Sequence, residues 1–188
     1  MKKSELRKIT FTSVFVAVAF VLSLITKFVP GLNLEMPQGG AIFGFAMVPL
    51  IFIGFFFGLQ YGLLGGFLYG LTSLMLDGVL YHWASLFTDY LIAFGVLGIT
   101  GLFQKDLYNP KRFLLIIFLA GFLRYLSHSF GGAIIFAEYA PEGMNPWFYS
   151  FIVYNLPYMA SSTVLTMIIA YLLRPRLIEL AKQYELLN

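Results

Sequence analysis

The Lys and Arg residues of this 188-residue chain are bunched, and that bunching limits what the chain can fold into. Ten of the twelve fall in three clusters: Lys2, Lys3, Arg7 and Lys8; Lys105, Lys111 and Arg112; Arg174, Arg176 and Lys182. Long apolar runs lie between them, and from Gly39 to Leu76 there is no charged residue at all. As one helix that run would be roughly 55 Å long at the usual rise. A bilayer core is about 30 Å thick, so the run must fold back, and turn residues gather at Gly58-Leu59-Gln60-Tyr61-Gly62. Only 11% of the chain is charged, against roughly 25% in a soluble domain. These features describe an integral membrane protein.

Six stretches are long and apolar enough to span, at about 9–29, 41–57, 60–80, 83–103, 113–137 and 147–173. The apolar runs are continuous rather than alternating, which argues for helices over a β-barrel. The predicted fold is therefore an all-α integral membrane protein, a single domain over 1–188 with six transmembrane helices. An even number of spans places both termini on one side, and it puts all three basic clusters there too. The positive-inside rule makes that side cytoplasmic. The opposite loops carry Glu35, Glu138 and Glu142, with only Lys27 nearby. The first span is too long for the apolar region of a cleaved signal peptide.

Several functions are excluded or disfavoured. The net charge of +3 is a topology signal and implies no nucleic-acid partner. Without cysteine there is no disulfide and no thiolate metal site. No G-x-x-x-x-G-K-[ST] loop is present to bind ATP, and no His-Glu-x-x-His or G-x-S-x-G motif is present to support hydrolysis. No metal or cofactor is predicted.

The ionisable groups inside the apolar runs are candidates for function, because each costs about 2.5–3.5 kcal/mol or more to bury in hydrocarbon. Counting along the spans puts Asp89, His128 and Asn155 at about 9, 13 and 12 Å below the outer face. Tyr81, Tyr90, Phe136, Trp147, Tyr149, Tyr154 and Tyr158 fall at or near that layer. A carboxylate among aromatic faces suits a flat organic cation. The bland alternative is a buried Asp89–Arg124 ion pair with His128 bonded to backbone. Arg124 is expected to be structural, paired with an acidic group or with helix-end carbonyls, and Asp77 and His82 to be interfacial. The loops 34–40 and 139–147 read either as ordinary connections with an aromatic belt or as a lid over an outward-facing pocket. Gly62, Gly66 and Gly70 share a helix face and permit close packing, while Ser13 and Ala17 offer a small-residue docking face for another membrane subunit. An intramembrane enzyme using Asp89 and His128 as acid and base, or a purely structural subunit, remains open on these residues alone.

Certain motifs, taken in order, resemble one family: Met36-Pro37-Gln38-Gly39-Gly40, Asp89-Tyr90-Leu91-Ile92-Ala93-Phe94, Leu123-Arg124-Tyr125 with His128, Tyr139-Ala140-Pro141-Glu142-Gly143, and Tyr149-Ser150 with Tyr154-Asn155. They are similar to the thiamine-specific substrate-binding subunit, or S-component, of energy-coupling factor (ECF) vitamin transporters. The resemblance implies a multi-pass bacterial cell-membrane protein that captures thiamine from outside. Its partners would be a transmembrane coupling subunit and two cytoplasmic ATPases. It places Asp89 opposite the ligand cation, with Tyr90, His128, Tyr149 and Asn155 in the pocket and Phe136 where some members carry tryptophan. Tyr81, Trp147, Gln38 and Gly39 complete the candidate set. Ser13 and Ala17 stand where such subunits tend to carry an alanine pair for docking. An S-component for another vitamin or a thiamine precursor is the sibling alternative.

Overall fold

The computed structural model describes residues 3–77 and 80–186, with the side chain of Gln38 outside the described residues. The candidate pocket role of Gln38, and Lys2 of the first basic cluster, therefore lie outside what is described. Six helical segments follow one another: α1 Lys3–Phe28, α2 Met47–Phe57, α3 Leu59–Asp77, α4 Leu86–Tyr108, α5 Pro110–Ile134 and α6 Pro146–Gln183. All but α2 are long and apolar enough to cross a membrane. The only strand-like pairing among the described residues is a single bridge, Glu35 to Ala41.

The second span departs from expectation. It was predicted over 41–57, but the helix is the eleven-residue Met47–Phe57, about 16 Å long. Residues 41–46 are equally apolar yet irregular, because their polar backbone groups are met by side chains of α6. Ser161 Oγ donates to the Ile42 carbonyl (2.9 Å), Ser162 Oγ to the carbonyls of Ala41 (3.2 Å) and Ile42 (3.1 Å), and the Gly44 amide donates to Ser162 Oγ (3.0 Å). Non-helical backbone at membrane depth is tolerated only where protein satisfies it or it lines a cavity, and this segment does both. All eleven residues of α2 are buried, as a helix that is apolar all round should be.

The fold-back after α2 takes a single residue, Gly58, whose φ of 86° is open to glycine and costly for other residues. From there α3 lays its glycine face on α4. A Cβ at Gly66 would fall 2.3 Å from the Phe94 carbonyl oxygen, and one at Gly70 would fall 2.6 Å from that of Tyr90. Contact this close is possible only without side chains, and it fixes α4 at the level where Asp89 and Tyr90 sit. The starts of α5 and α6 follow Asn-Pro pairs. Asn109 accepts from the amides of Lys111 (3.1 Å) and Arg112 (3.2 Å), and Asn145 from those of Trp147 (2.8 Å) and Phe148 (3.4 Å). Both are N-caps with proline in the first turn. The caps start α5 earlier than the predicted 113, and α6 runs on past the predicted 173 to Gln183.

The basic clusters meet at one end of the bundle. Arg7 donates to the Tyr184 carbonyl (2.7 Å) and pairs with Glu185 (3.0 Å), while Arg174 reaches the carbonyls of Leu107 (2.5 Å) and Tyr108 (2.6 Å) that close α4. Above that end lies a solid aromatic core in which Phe52, Phe55, Phe56, Phe57 and Phe113 are buried. Rings of Phe55 and Phe113 are 5.0 Å apart, those of Phe52 and Phe56 5.4 Å. The opposite end is hollow.

Candidate ligand-binding site

The hollow end holds a cavity of about 470 Å³, within the range that takes a small organic ligand. Its walls come from α1, the 35–46 segment, and the loop-facing halves of α3 to α6. Two of these helices widen where they meet it. Leu86–Leu91 in α4 and Tyr149–Asn155 in α6 are π-helical, with bonds from i to i+5. Such turns concentrate at functional sites because they redirect side chains without ending the helix. In α6 the wider turn brings the rings of Tyr149 and Tyr154 to 6.0 Å and lets Asn155 Nδ2 donate to the Ser150 carbonyl, five residues back, at 2.9 Å.

At the centre, His128 Nδ1 and Asp89 Oδ1 are 2.9 Å apart. With the carboxylate ionised, Nδ1–H donates and neutral imidazole presents Nε2 as an acceptor. Nε2 is buried and has no partner among the described residues. An unmet buried acceptor is costly, so this atom is available to a ligand donor. The Tyr158 ring packs on His128 at 5.9 Å, and Tyr154 follows at 5.9 Å from Tyr158, forming with Tyr149 an aromatic wall.

Asn155 lines the cavity, but its amide is largely engaged. It accepts from Tyr158 Oη (2.8 Å) and donates to the Ser150 carbonyl and to Ser150 Oγ (3.0 Å). It braces the wall through Ser150, whose hydroxyl donates to the Ser129 carbonyl (2.8 Å). Tyr81, Tyr90, Phe136, Tyr149 and Gly39 also border the cavity. Trp147 does not. It lies 47% exposed on the outside of the bundle, stacked on Phe151 (5.9 Å) and edge-on to Phe130 (6.0 Å). Counting residues gave its depth, but the face depends on helical phase.

One expectation for a charged residue is corrected, and a second gains detail. Arg124 forms no ion pair with Asp89. It borders the cavity instead, its guanidinium 4.2 Å from the Phe94 ring centre. Asp77, expected to be interfacial, is exposed at the mouth, where it receives the Tyr90 hydroxyl on Oδ2 (3.0 Å) and Lys27 Nζ on Oδ1 (3.3 Å), tying α1, α3 and α4 together. Sequence reasoning passed over the wall from α1 and α3, made of Ser23, Thr26, Lys27, Tyr69, Ser73 and Asp77. The signal was there: polar residues recur at i+3 and i+4 in otherwise apolar helices, 23–26–27 and 69–73–77, as a cavity-facing stripe requires.

The 34–42 loop closes over one side. Its strand-like ends pair through the Met36 amide to the Gly40 carbonyl (2.7 Å) and the Ile42 amide to the Leu34 carbonyl (2.9 Å). Gly39 turns the chain at φ 103°, and the Tyr154 hydroxyl bonds the Pro37 carbonyl. The backbone at Gly40 lies against Tyr158, where an added Cβ would come within 2.9 Å of the ring.

Ser13 and Ala17 are exposed on α1, away from the cavity, with Ser13 Oγ bonded back to the Ile9 carbonyl at 3.0 Å.

Comparison with known proteins agrees with this architecture. A solved structure of ThiT from Listeria monocytogenes has the same fold, with a TM-score of 0.74 at 24% identity, over 92% of this chain and 95% of that one. The thiamine transporter ThiT of Bacillus subtilis (strain 168) is 33% identical over 178 residues, covering 87% of this chain and 92% of its own. ThiT of Lacticaseibacillus paracasei is 34% identical over 91 residues, 43% of this chain and 45% of the relative. The family model described as thiamine transporter protein matches residues 9–182. With a family match over nearly its whole length, this multi-pass membrane chain belongs to the thiamine transporter protein family.

Proposed function

We propose that this chain is the thiamine-binding subunit of an ECF-type transporter, holding thiamine in the cavity around Asp89 and His128. The observation that carries the reading is the Asp89–His128 pair at 2.9 Å within an aromatic-walled cavity. Thiamine joins a permanently cationic thiazolium to an aminopyrimidine. The Asp89 carboxylate and the tyrosine faces suit the first, and the free Nε2 of His128 suits an amino donor on the second. Tyr90, Tyr81, Phe136, Tyr149 and Gly39 border the same space, with Asn155 holding its wall. The family is one of transporters, so the acid–base enzyme built on Asp89 and His128 gives way to transport.

The basic end of the bundle would face the cytoplasm by the positive-inside rule, leaving the cavity open to the outside. With no nucleotide-binding loop in the sequence, uphill uptake would need a coupling subunit and ATPases supplied by partners. The exposed Ser13–Ala17 face of α1 is the proposed contact for the coupling subunit.

The test of ligand and site is calorimetry on the protein purified from cells grown without thiamine. Asp89→Asn should weaken thiamine by about 30-fold or more, since breaking a buried charge pair costs about 2–5 kcal/mol. Unchanged affinity in a folded variant would remove Asp89 from the site. The test of coupling compares a Ser13→Trp, Ala17→Trp double variant in detergent binding and in cellular uptake. Retained binding with lost uptake is expected; normal uptake would move the contact elsewhere.

A further inference from the structure

Tyr90 follows Asp89 in the chain, yet its hydroxyl bonds to a different carboxylate. It donates to Asp77 Oδ2 at 3.0 Å, and both Tyr90 and Asp77 border the cavity. Helix α3 holds Tyr90 at two points. Gly70 lets the Tyr90 carbonyl oxygen come to within 2.6 Å of where a Cβ would stand. Asp77, two turns along the same face of α3, takes the hydroxyl. The other oxygen of Asp77 meets α1, where Lys27 Nζ lies 3.3 Å from Oδ1 and also donates to the Leu76 carbonyl (3.1 Å). The two side chains are 29% and 45% exposed. An ion pair that open to water adds little stability, so pairing with Lys27 does not account for a carboxylate bonded to a cavity-wall phenol.

A carboxylate changes the phenol it accepts from. A hydroxyl donating to an ionised acceptor makes a charge-assisted bond, and hydrogen bonds polarise the groups they join. Electron density shifts from the O–H toward the ring, and the negative face of the ring deepens. The attraction of an aromatic face for a cation grows with that negative charge. A neutral ligand of the same shape gains nothing from it. Asp77 therefore has a means of favouring charge over shape without touching the ligand. Lys27 acts in the opposite sense, because it draws charge from the carboxylate and sets a positive group at the cavity mouth.

We propose that Asp77 is a specificity-determining residue that acts through Tyr90. It positions the Tyr90 ring and enriches it in electron density, so that the cavity prefers a cationic ring to a neutral ring of the same shape. Lys27 tempers the effect from α1. The proposal rests on the thiamine reading for the identity of the cationic ligand.

The test is calorimetry on the full chain in detergent with two probes: thiamine, and a neutral isostere carrying thiophene in place of the thiazolium. Asp77→Asn keeps an acceptor for the Tyr90 hydroxyl and removes the charge. It should weaken thiamine about three- to tenfold, within the range of a cation–π contact, and change the isostere by less than about twofold. Tyr90→Phe should do the same. The double variant should be no worse than the weaker single one, because both substitutions remove one shared interaction. Lys27→Gln should tighten thiamine. Equal weakening of both probes by Asp77→Asn overturns the proposal and leaves Asp77 a strut between helices. A loss of thiamine affinity in Lys27→Gln as large as that in Asp77→Asn has the same meaning. Full additivity of Asp77→Asn and Tyr90→Phe also overturns it, since the carboxylate would then act without the ring. Should Asp77→Asn fail to fold, Tyr90→Phe carries the comparison of the two probes, and equal loss of both overturns the proposal. Failure of the thiamine reading looks different: the wild type then binds neither probe, and the proposal falls with it.

Discussion

The two ends of this bundle solve the same problem in opposite ways. At the basic end, apolar surface is packed away by rings: Phe55 on Phe113, Phe52 on Phe56, and Phe15 against Phe56 at 5.9 Å. At the loop end, the same helices give up regularity. α2 stops at Met47, α4 and α6 take π-turns, and polar groups bond one another around an open space. Within lipid, helix association rests on van der Waals packing and hydrogen bonds, because lipid tails are as apolar as the side chains. The ring-packed end makes the first kind of contact and the hollow end the second. The packed core and the candidate site thus occupy different layers of one short chain.

That division can be broken by substitution. The largest effect is expected at Phe113, which is fully buried. Phe113→Ala should cost about 3–5 kcal/mol of stability, read as a lowered midpoint of thermal unfolding in detergent, while the surviving folded protein keeps its thiamine affinity. A selective loss of affinity at unchanged stability would mean the two layers are not separate. Tyr154→Phe should have a smaller effect, confined to the hollow end. It removes the bond to the Pro37 carbonyl that holds the 34–42 loop down, worth about 0.5–1.5 kcal/mol. That should appear in stopped-flow measurements as faster ligand release, with the melting temperature near that of the wild type. Trp147→Ala should do least. Its ring packs on Phe151 and Phe130 outside the cavity, so thiamine affinity should change less than about threefold, or under 1 kcal/mol. A loss as large as that of Asp89→Asn would put Trp147 back at the ligand.

The layers were unequally legible in the sequence. Charge clusters and uninterrupted apolar runs marked six helices, because charge and length are properties of the sequence itself. The glycine stripe of α3 was legible as a packing face and serves as one. Asp89 and His128 stood out because an ionisable group in an apolar span is costly wherever it points. Phase and distant partners were not legible. Residues 41–46 look like the start of a helix, and what unwinds them is a pair of serines about 120 positions later. Trp147 lies on the face turned away from the cavity, in a helix that becomes π-helical two residues later, over Tyr149–Asn155, and drifts from the ordinary register. Arg124 shares a helix face with His128, as the spacing of four implied, but the absence of a carboxylate partner depends on where α4 lies.

The shortness of α2 also has an electrical consequence. The cavity is open at the loop end, where it reaches exposed residues such as Tyr81 and Asp77, so ions in solution carry the potential of that side down into it. Across the bundle, the insulating layer then narrows to roughly the 16 Å of α2 and its phenylalanines. A transmembrane voltage falls mainly over that layer. A cation held beside Asp89, as proposed, would have crossed little of the field, so its binding should be nearly insensitive to voltage. The electrical work, about 2.3 kcal/mol per charge for each 100 mV, is concentrated in the step that carries it past α2.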